Sequence, residues 1–251
     1  LLGPLLIPVW GWGAWWWLFA VVSLGMAVGV WRSVPTDPTE QGARAGQGAW
    51  QRLRLTLIAP GPWLVALTFG MYSGQWLAVV GFLPSIYAAA GVSGLLLGLL
   101  TALAAAANIV GNMASGRLLQ RGWAPRTTLW LGFGAMALGS TVAFAPFTEA
   151  QPWLRFAGVL LFSGLGGLVP GTLFSLAVRL APGDQQVATT VGWVQQLSAL
   201  GQFLGPPAVA AVAAHAGGWQ LTPLVTVGCC AVGAVLAWAA GRLLAQAQSR
   251  P

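Results

Sequence analysis

The side chains of this chain that could do chemistry are amides, hydroxyls and aromatic rings set within long apolar stretches. They recur at spacings of three, four and seven, which places each set on one face of a helix. The sets are Tyr72, Gln75 and Trp76; Thr101, Asn108, Asn112 and Ser115; and Gln195, Ser198 and Gln202. Such groups form hydrogen bonds and aromatic contacts with a bound molecule. Interhelical hydrogen bonds that only hold a bundle together are the alternative interpretation.

Acid–base and metal chemistry has little to work with in this sequence. The only histidine is His215, which we interpret as a loop or headgroup residue rather than a proton relay. The acidic residues all fall in predicted loops: Asp37, Glu40, Glu149 and Asp184. General acid–base catalysis and metal binding need clusters of such groups. We therefore expect no enzyme, no metal site and no cofactor.

The elements that must position the polar side chains are membrane-spanning helices. Hydrophobic residues make up 57% of the chain and charged residues 6%, whereas soluble domains carry about 25% charged residues. A helix needs about 20 apolar residues to cross a bilayer. Cutting the sequence at its charges and loop signals predicts an all-α membrane protein. The seven predicted spans cover roughly 14–31, 63–87, 94–116, 127–147, 156–178, 188–213 and 220–241.

The arginines predict how these spans are oriented. Basic residues concentrate in cytoplasmic loops, and here ten arginines fall on one side of the membrane and only Arg155 on the other. The ten are Arg32, Arg44, Arg52, Arg54, Arg117, Arg121, Arg126, Arg179, Arg242 and Arg250. This asymmetry predicts a cytoplasmic C-terminus in the plasma (inner) membrane. It also explains the net charge of +7 without nucleic acid as a partner.

Small residues predict close helix contacts and one weak point. Ala107, Gly111 and Ser115 recur every four residues, which lets two backbones approach within a bilayer. The span 156–178 contains four glycines and a proline between Ser163 and Gly171. This density predicts an interrupted helix, and broken helices commonly line transport sites. The hinge candidates are Gly166, Gly167, Pro170 and Gly171. Proline and glycine are also frequent in membrane helices generally.

Three further segments complete the prediction. Residues 32–58 have the composition of a loop, within which residues 50–57 form either a short amphipathic helix at the membrane surface or a plain solvated linker. Residues 1–10 are apolar but too short to span, and they lead into a tryptophan-rich turn. We therefore expect the chain to be the C-terminal part of a longer protein. Cys229 and Cys230 are adjacent on a predicted helix and are interpreted as packing residues rather than a disulfide.

The turn GRLLQRGWAPR, from Gly116 to Arg126, resembles the loop motif of the major facilitator superfamily. Gly116 and Arg121 match the motif's glycine and arginine, and Arg117 and Arg126 add to its basic character. Gln120 stands where the motif has an acid, and Gly122 follows the arginine without a spacer. The resemblance implies a partial helix 5 and helix 6 in residues 1–31, a central cytoplasmic loop in 32–58 and a six-helix C-terminal bundle in 59–251.

The resemblance implies a secondary transporter that moves a small solute by alternating access, with the lipid bilayer and an N-terminal half of the same protein as further partners. The expected site face comprises Tyr72, Gln75, Trp76, Asn108, Asn112, Ser175, Gln195 and Gln202. The segments GFLPSIY, VPGTLF and VGWVQQLSALGQFLGPP resemble the cyanate-permease and nitroimidazole-transporter branch. A drug or metabolite efflux antiporter of the same superfamily is one alternative. A non-transporting membrane receptor or assembly protein is another.

Overall fold

The computed structural model describes residues 3–34 and 48–248, and within these ranges the regular structure is helical throughout. Nine α-helices lie in this part of the chain, and within residues 48–248 short turns connect them, three of which contain a single 3₁₀ turn. They are α1 (Gly3–Ser33), α2 (Ala49–Ile58), α3 (Pro60–Ala89), α4 (Gly94–Gln120), α5 (Pro125–Phe144), α6 (Pro152–Gly166), α7 (Leu168–Arg179), α8 (Val187–Ala216) and α9 (Thr222–Gln248).

Seven helices in the described residues are long and apolar enough to cross a membrane, which confirms the predicted spans and the all-α fold. Two of the nine helices, α6 and α7, together make one span that is interrupted at Gly167. Helix α1 changes direction at Gly11, whose φ of 74° is outside the helical region, just where the tryptophan-rich turn was predicted.

The predicted central loop contains the short helix α2, so the helical alternative for residues 50–57 is the one observed. Residues 35–47, with Arg44, lie outside the described residues, as does Arg250. Helix α8 runs slightly beyond its predicted end and carries His215 in its last turn. There the imidazole is exposed, and its Nδ1 atom lies 2.8 Å from the carbonyl oxygen of Ala211.

The turn between α4 and α5 shows why a glycine follows the motif arginine. Gly122 has a φ of 87°, a left-handed conformation that residues with a Cβ rarely adopt. Its N–H donates to the carbonyl of Leu119, and the N–H of Trp123 donates to that of Leu118. This pair of bonds is the Schellman arrangement that ends a helix. Gly122 thus stops α4 and sends the chain back into α5.

The arginine-bearing helix ends lie together at one end of the bundle. The start of α3 meets the end of α7, where a methyl group at Gly61 would lie 2.6 Å from the carbonyl oxygen of Leu180. The end of α9 meets the start of α5, where Gly241 packs on the side chain of Arg126. Helix α2 contacts the turn at 184–186. The described arginines near these helix ends therefore lie at the same end of the bundle, as the charge pattern predicts.

Arg155, the exception to that pattern, has a structural task at the opposite end. Its Nε donates to the hydroxyl of Thr148 at 3.3 Å, and its Nη2 donates to the carbonyl of Ala145 at 3.2 Å. Ala145 follows the last residue of α5, and its carbonyl also accepts from the N–H of Thr148 at 3.2 Å and from the Thr148 hydroxyl at 2.8 Å. Arg155 fixes the turn between α5 and α6.

Helix α3 is the centre of the bundle and packs most extensively against α8. Glycines line this contact on both sides. A methyl group at Gly74 would lie 2.6 Å from the carbonyl oxygen of Gly201, and one at Gly205 would collide with the carbonyl of Gly74. Gly70 faces Gly201 in the same way. Each helix therefore carries two glycines four residues apart, and their backbones touch directly.

The glycine contacts generate a matched test on α3. Gly74→Ala should destabilise the folded protein by about 1–3 kcal/mol, because the added methyl group forces α3 and α8 apart. Gly81→Ala, two turns along the same helix, has no atom within 4 Å of its added methyl group and should be neutral or slightly stabilising. Thermal unfolding of the purified protein in detergent measures both. Equal melting temperatures for the two variants would contradict the contact.

Candidate solute site

Side chains from three helices meet beside the interruption at Gly167. Asn108 on α4 donates from Nδ2 to the hydroxyl of Tyr72 on α3 at 2.8 Å and to the carbonyl of Ser163 on α6 at 2.9 Å. Trp76, one turn after Tyr72, donates from Nε1 to the hydroxyl of Ser163 at 3.1 Å. We call these four residues the polar cluster. It joins α3, α4 and α6 by uncharged hydrogen bonds.

Aromatic rings extend the polar cluster along α3 and α7. Phe69 stacks on Tyr72 with ring centroids 6.0 Å apart. Phe174 on α7 meets Phe69 edge-on at 5.6 Å. Tyr72 and Phe69 are buried, whereas Trp76 and Phe174 are half-buried. The cluster therefore continues from the hydrogen-bonding groups of α4 and α6 into an aromatic wall formed by α3 and α7.

The polar cluster forms because α4 lies directly on the interrupted span. A methyl group at Gly111 would collide with the carbonyl of Gly164, and one at Gly167 would collide with the carbonyl of Asn108. A methyl group at Gly171 would collide with the hydroxyl of Ser115. The small residues of α4 thus have the close partner that their spacing predicts.

The four predicted hinge residues occupy different positions around the break. Gly167 keeps right-handed dihedral angles of −58° and −17°, and its N–H donates to the Ser163 carbonyl at 3.0 Å. Pro170 lies in the first turn of α7, where a missing N–H costs no intrahelical bond. Gly166 faces Met136 of α5, and Gly171 faces α4. The Ser163 carbonyl therefore accepts two donors, one from its own helix and one from Asn108.

Gln75 is turned away from the polar cluster. Residues 72 and 76 are about 40° apart around a helix, whereas residue 75 lies about 60° to the other side of residue 72. Gln75 is buried, donates from Nε2 to the carbonyl of Met71 at 3.0 Å, and accepts from the thiol of Cys230 at 3.3 Å. This pair joins α3 to α9. Cys229 and Cys230 are free thiols, and the hydrogen bond of Cys230 is a role that sequence reasoning missed.

The other amide candidates lie on surfaces that the described chain leaves uncovered. Asn112, Gln195 and Gln202 are exposed, and Ser175 is half-buried. In the spans of α4 and α8, only 11% of the most apolar stretch of residues is buried. The corresponding share for α3 is 67%. Gln202 donates to the Ser198 hydroxyl at 3.3 Å, and the Ser73 hydroxyl donates to the Ser198 carbonyl at 2.9 Å. An amide that faces hydrocarbon without a hydrogen-bonding partner carries a cost in free energy.

A family model matches most of the chain. The model described as Major Facilitator Superfamily matches residues 1–206 and, in a second alignment, residues 64–250. The chain belongs to the Major Facilitator Superfamily. Members of this superfamily are membrane transporters rather than enzymes. No individual curated protein matches the chain.

Two clefts at the ends of the facilitator bundle are separate from the candidate site residues. A cleft of about 800 Å³ opens at the end of the bundle that holds Glu149 and Arg155, and one of about 530 Å³ opens at the arginine-bearing end. None of the eight candidates is among the described residues that line them. Of the loop-motif residues, Arg126 lines the smaller cleft, while Gly116, Arg117 and Arg121 lie exposed on the surface.

Sequence reasoning missed Ser163 as the residue that joins the polar cluster. Its hydroxyl and its carbonyl both take part, and it stands directly before the glycines that mark the break. A polar residue at the start of a glycine-rich interruption is the signal that could have identified it. Such a residue lies where irregular backbone frees or shares carbonyl groups.

A double-mutant cycle tests the contact between Tyr72 and Asn108. Tyr72→Phe and Asn108→Ala should together show a coupling energy of about 0.6 kcal/mol, the average for interhelical hydrogen bonds in a bilayer. Thr101→Val is the control, because its hydroxyl bonds only to Leu97 within α4. Thermal unfolding in detergent gives the free-energy differences. A coupling energy of zero would mean that the two side chains do not meet.

Proposed function

We propose that this facilitator is a secondary transporter that moves a small solute by alternating access, and that the polar cluster forms part of its solute site. The observation that carries the proposal is the position of the cluster. Uncharged hydrogen-bonding groups of Tyr72, Trp76 and Asn108 meet Ser163 beside the break at Gly167. Discontinuous helices form substrate sites in many transporters because their backbone groups are available for binding.

The proposed solute site needs a second wall, opposite the polar cluster. Helices α4 and α8 leave amides on uncovered faces, and such groups require water or a polar partner within a membrane. A second six-helix bundle facing α4 and α8 meets this requirement, with residues 59–251 as one half of the transporter. The two alignments of the family model support this division, because residues 64–206 fall in both. Facilitator halves are related repeats, so one half can align in two registers.

The proposed movement uses the contact between α4 and the interrupted span. Rocking of one bundle against the other requires an element that changes direction without losing its packing. Gly167 lies between two helical segments, and no side chain separates it from α4. The junction can therefore change its hydrogen bonding while the backbones stay in contact. Gly166, Pro170 and Gly171 contribute as flanking positions of this hinge.

The chemistry of the candidate residues bounds the solute. The eight side chains named above carry no charge, so they offer hydrogen bonds and aromatic faces. A small polar molecule or anion fits them, and the likeness to the cyanate-permease branch supports a solute of that size. An ion-coupling carboxylate or a substrate-pairing arginine would have to come from elsewhere in the transporter. An efflux antiporter of the same superfamily would use the same site in the opposite direction.

Transport measurements test the solute site. Asn108→Ala and Gln195→Ala should each lower uptake by about tenfold or more while the amount of folded protein stays near normal, since losing a hydrogen-bonding partner costs about 1–3 kcal/mol. Gln196→Ala is the matched control, because Gln196 is also an exposed amide of α8 but points about 100° away from Gln195. Vesicles containing the protein in its natural length and a panel of radiolabelled small anions, cyanate included, provide the assay.

The alternatives predict different outcomes in the same vesicles. Energised extrusion of a dye or metabolite would identify an efflux antiporter. Saturable binding without movement across the membrane would identify a receptor or assembly protein and would overturn the transport proposal. Normal specific activity with less folded protein in the Asn108 variant would assign the polar cluster a purely structural role.

The proposed orientation places the arginine-bearing end in the cytoplasm of a cell whose plasma membrane holds the protein. With Cys229 and Cys230 replaced by serine, a single cysteine at Trp123 should be protected from an impermeant thiol reagent in intact cells. One at Gly217, on the opposite end of the bundle, should be labelled. The reason is the ten-to-one arginine asymmetry. Labelling at position 123 and protection at 217 would invert the orientation.

A further inference from the structure

The cleft at the arginine-bearing end combines two charges with apolar walls. It has a volume of about 530 Å³ and lies between the α4–α5 turn, the end of α7 and the end of α9. Arg126 and Arg179 are the charged residues that line it, and no acidic side chain of the described residues does so. Leu119 and Leu244, both half-buried, supply apolar surface, and the buried Leu176 lies behind them. The cleft therefore combines positive charge with hydrophobic surface.

Arg126 is held in place beside this cleft. Its side chain lies across α9, with Cβ and Cδ at 3.2 and 3.3 Å from the position of a methyl group on Gly241. Its guanidinium lies over the ring of Trp130, 5.0 Å from the centroid. The Trp130 indole N–H in turn donates to the Ala234 carbonyl of α9 at 3.0 Å. Neither contact uses a carboxylate, so the positive charge remains available to an anion.

Other groups at this end also favour an anion. Ala124, which precedes α5, and the first two residues of that helix, Pro125 and Arg126, line the cleft, and a helix N-terminus carries partial positive charge. Trp130 and Trp238 are 44% and 42% exposed on α5 and α9, and Arg242 lies over the ring of Trp238 at 4.8 Å. Exposed tryptophans collect at the depth of lipid headgroups. These two tryptophans are therefore the kind of residue expected at headgroup depth, on the two helices that border the cleft.

We propose that this cleft binds an anionic phospholipid. Arg126 and Arg179 would hold the headgroup phosphate, since guanidinium groups bind phosphate through paired N–H donors. An acyl chain would lie along the leucines. A free phosphate would contact only the arginines, whereas a phospholipid would contact both the arginines and the apolar walls. Basic pockets between helices on the cytoplasmic side bind anionic headgroups, so the choice of leaflet rests on the proposed orientation. The lipid would join α5, α7 and α9, which is a role distinct from solute binding.

The test compares lipid binding in two matched double variants of the protein in its natural length. Native mass spectrometry in neutral detergent measures the affinity for phosphatidylglycerol and for phosphatidylcholine with the same acyl chains. Arg126→Gln with Arg179→Gln should weaken phosphatidylglycerol binding roughly 30-fold, because each basic residue near an anionic headgroup contributes about a factor of five. Arg117→Gln with Arg121→Gln removes two exposed arginines that do not line the cleft and should change binding less than threefold.

Three binding results would overturn the proposal. They are equal loss of binding in both double variants, equal affinity for the two lipids in the unmodified protein, and displacement of phosphatidylglycerol by millimolar inorganic phosphate, which would indicate a free-anion site. A photoreactive phosphatidylglycerol gives a readout that needs no variant. Its acyl chain should crosslink to the unmodified protein near Leu119 or Leu244, and crosslinks confined to other helices would contradict the site. None of these measurements depends on solute transport, so their failure leaves the proposed function untouched.

Discussion

The structure depends on direct contact between helix backbones at glycine. Lipid provides little hydrophobic force between helices, so association rests on van der Waals packing and hydrogen bonds. Gly74 and Gly201 bring α3 onto α8, and a methyl group at Gly139 would lie 2.6 Å from the Gly158 carbonyl oxygen where α5 meets α6. Gly111 and Gly167 do the same for α4 and the interrupted span. At each contact a carbonyl oxygen occupies the place of a side chain.

These contacts determine where hydrogen-bonding groups can meet. Asn108 reaches Tyr72 and Ser163 at 2.8 and 2.9 Å because α4 lies against the break without an intervening side chain. On α8, the glycines that face α3 also bring Ser73 within 2.9 Å of the Ser198 carbonyl. The polar cluster is therefore a consequence of backbone packing. The same packing leaves the remaining amides of α4 and α8 on the uncovered side.

The spans and one helix contact were predictable from the sequence because they depend on local properties. Arginine is excluded from hydrocarbon, so the charges delimit the seven helices, and the spacing of Ala107, Gly111 and Ser115 requires a close neighbour. The three-dimensional arrangement decides which helix that neighbour is. It also decides that the glycines of α3, Gly70 and Gly74, meet those of α8, Gly201 and Gly205. Spacing also gives only relative angles around a helix. It grouped Gln75 with Tyr72, although about 60° separates the α4 side of α3 from the Cys230 side.

The shared carbonyl of Ser163 offers a physical route from solute binding to the proposed hinge. It accepts from Gly167 within its own span and from Asn108 across to α4. Interhelical hydrogen bonds in membranes average only about 0.6 kcal/mol, so a solute that bonds to Asn108 or Tyr72 can replace one of them at small cost. Losing the Asn108 donor changes the bonding of a carbonyl that belongs to the break itself. Under the proposed mechanism, occupancy of the site would therefore alter the one element of the span whose helix is already interrupted, while the glycine contacts keep α4 in place.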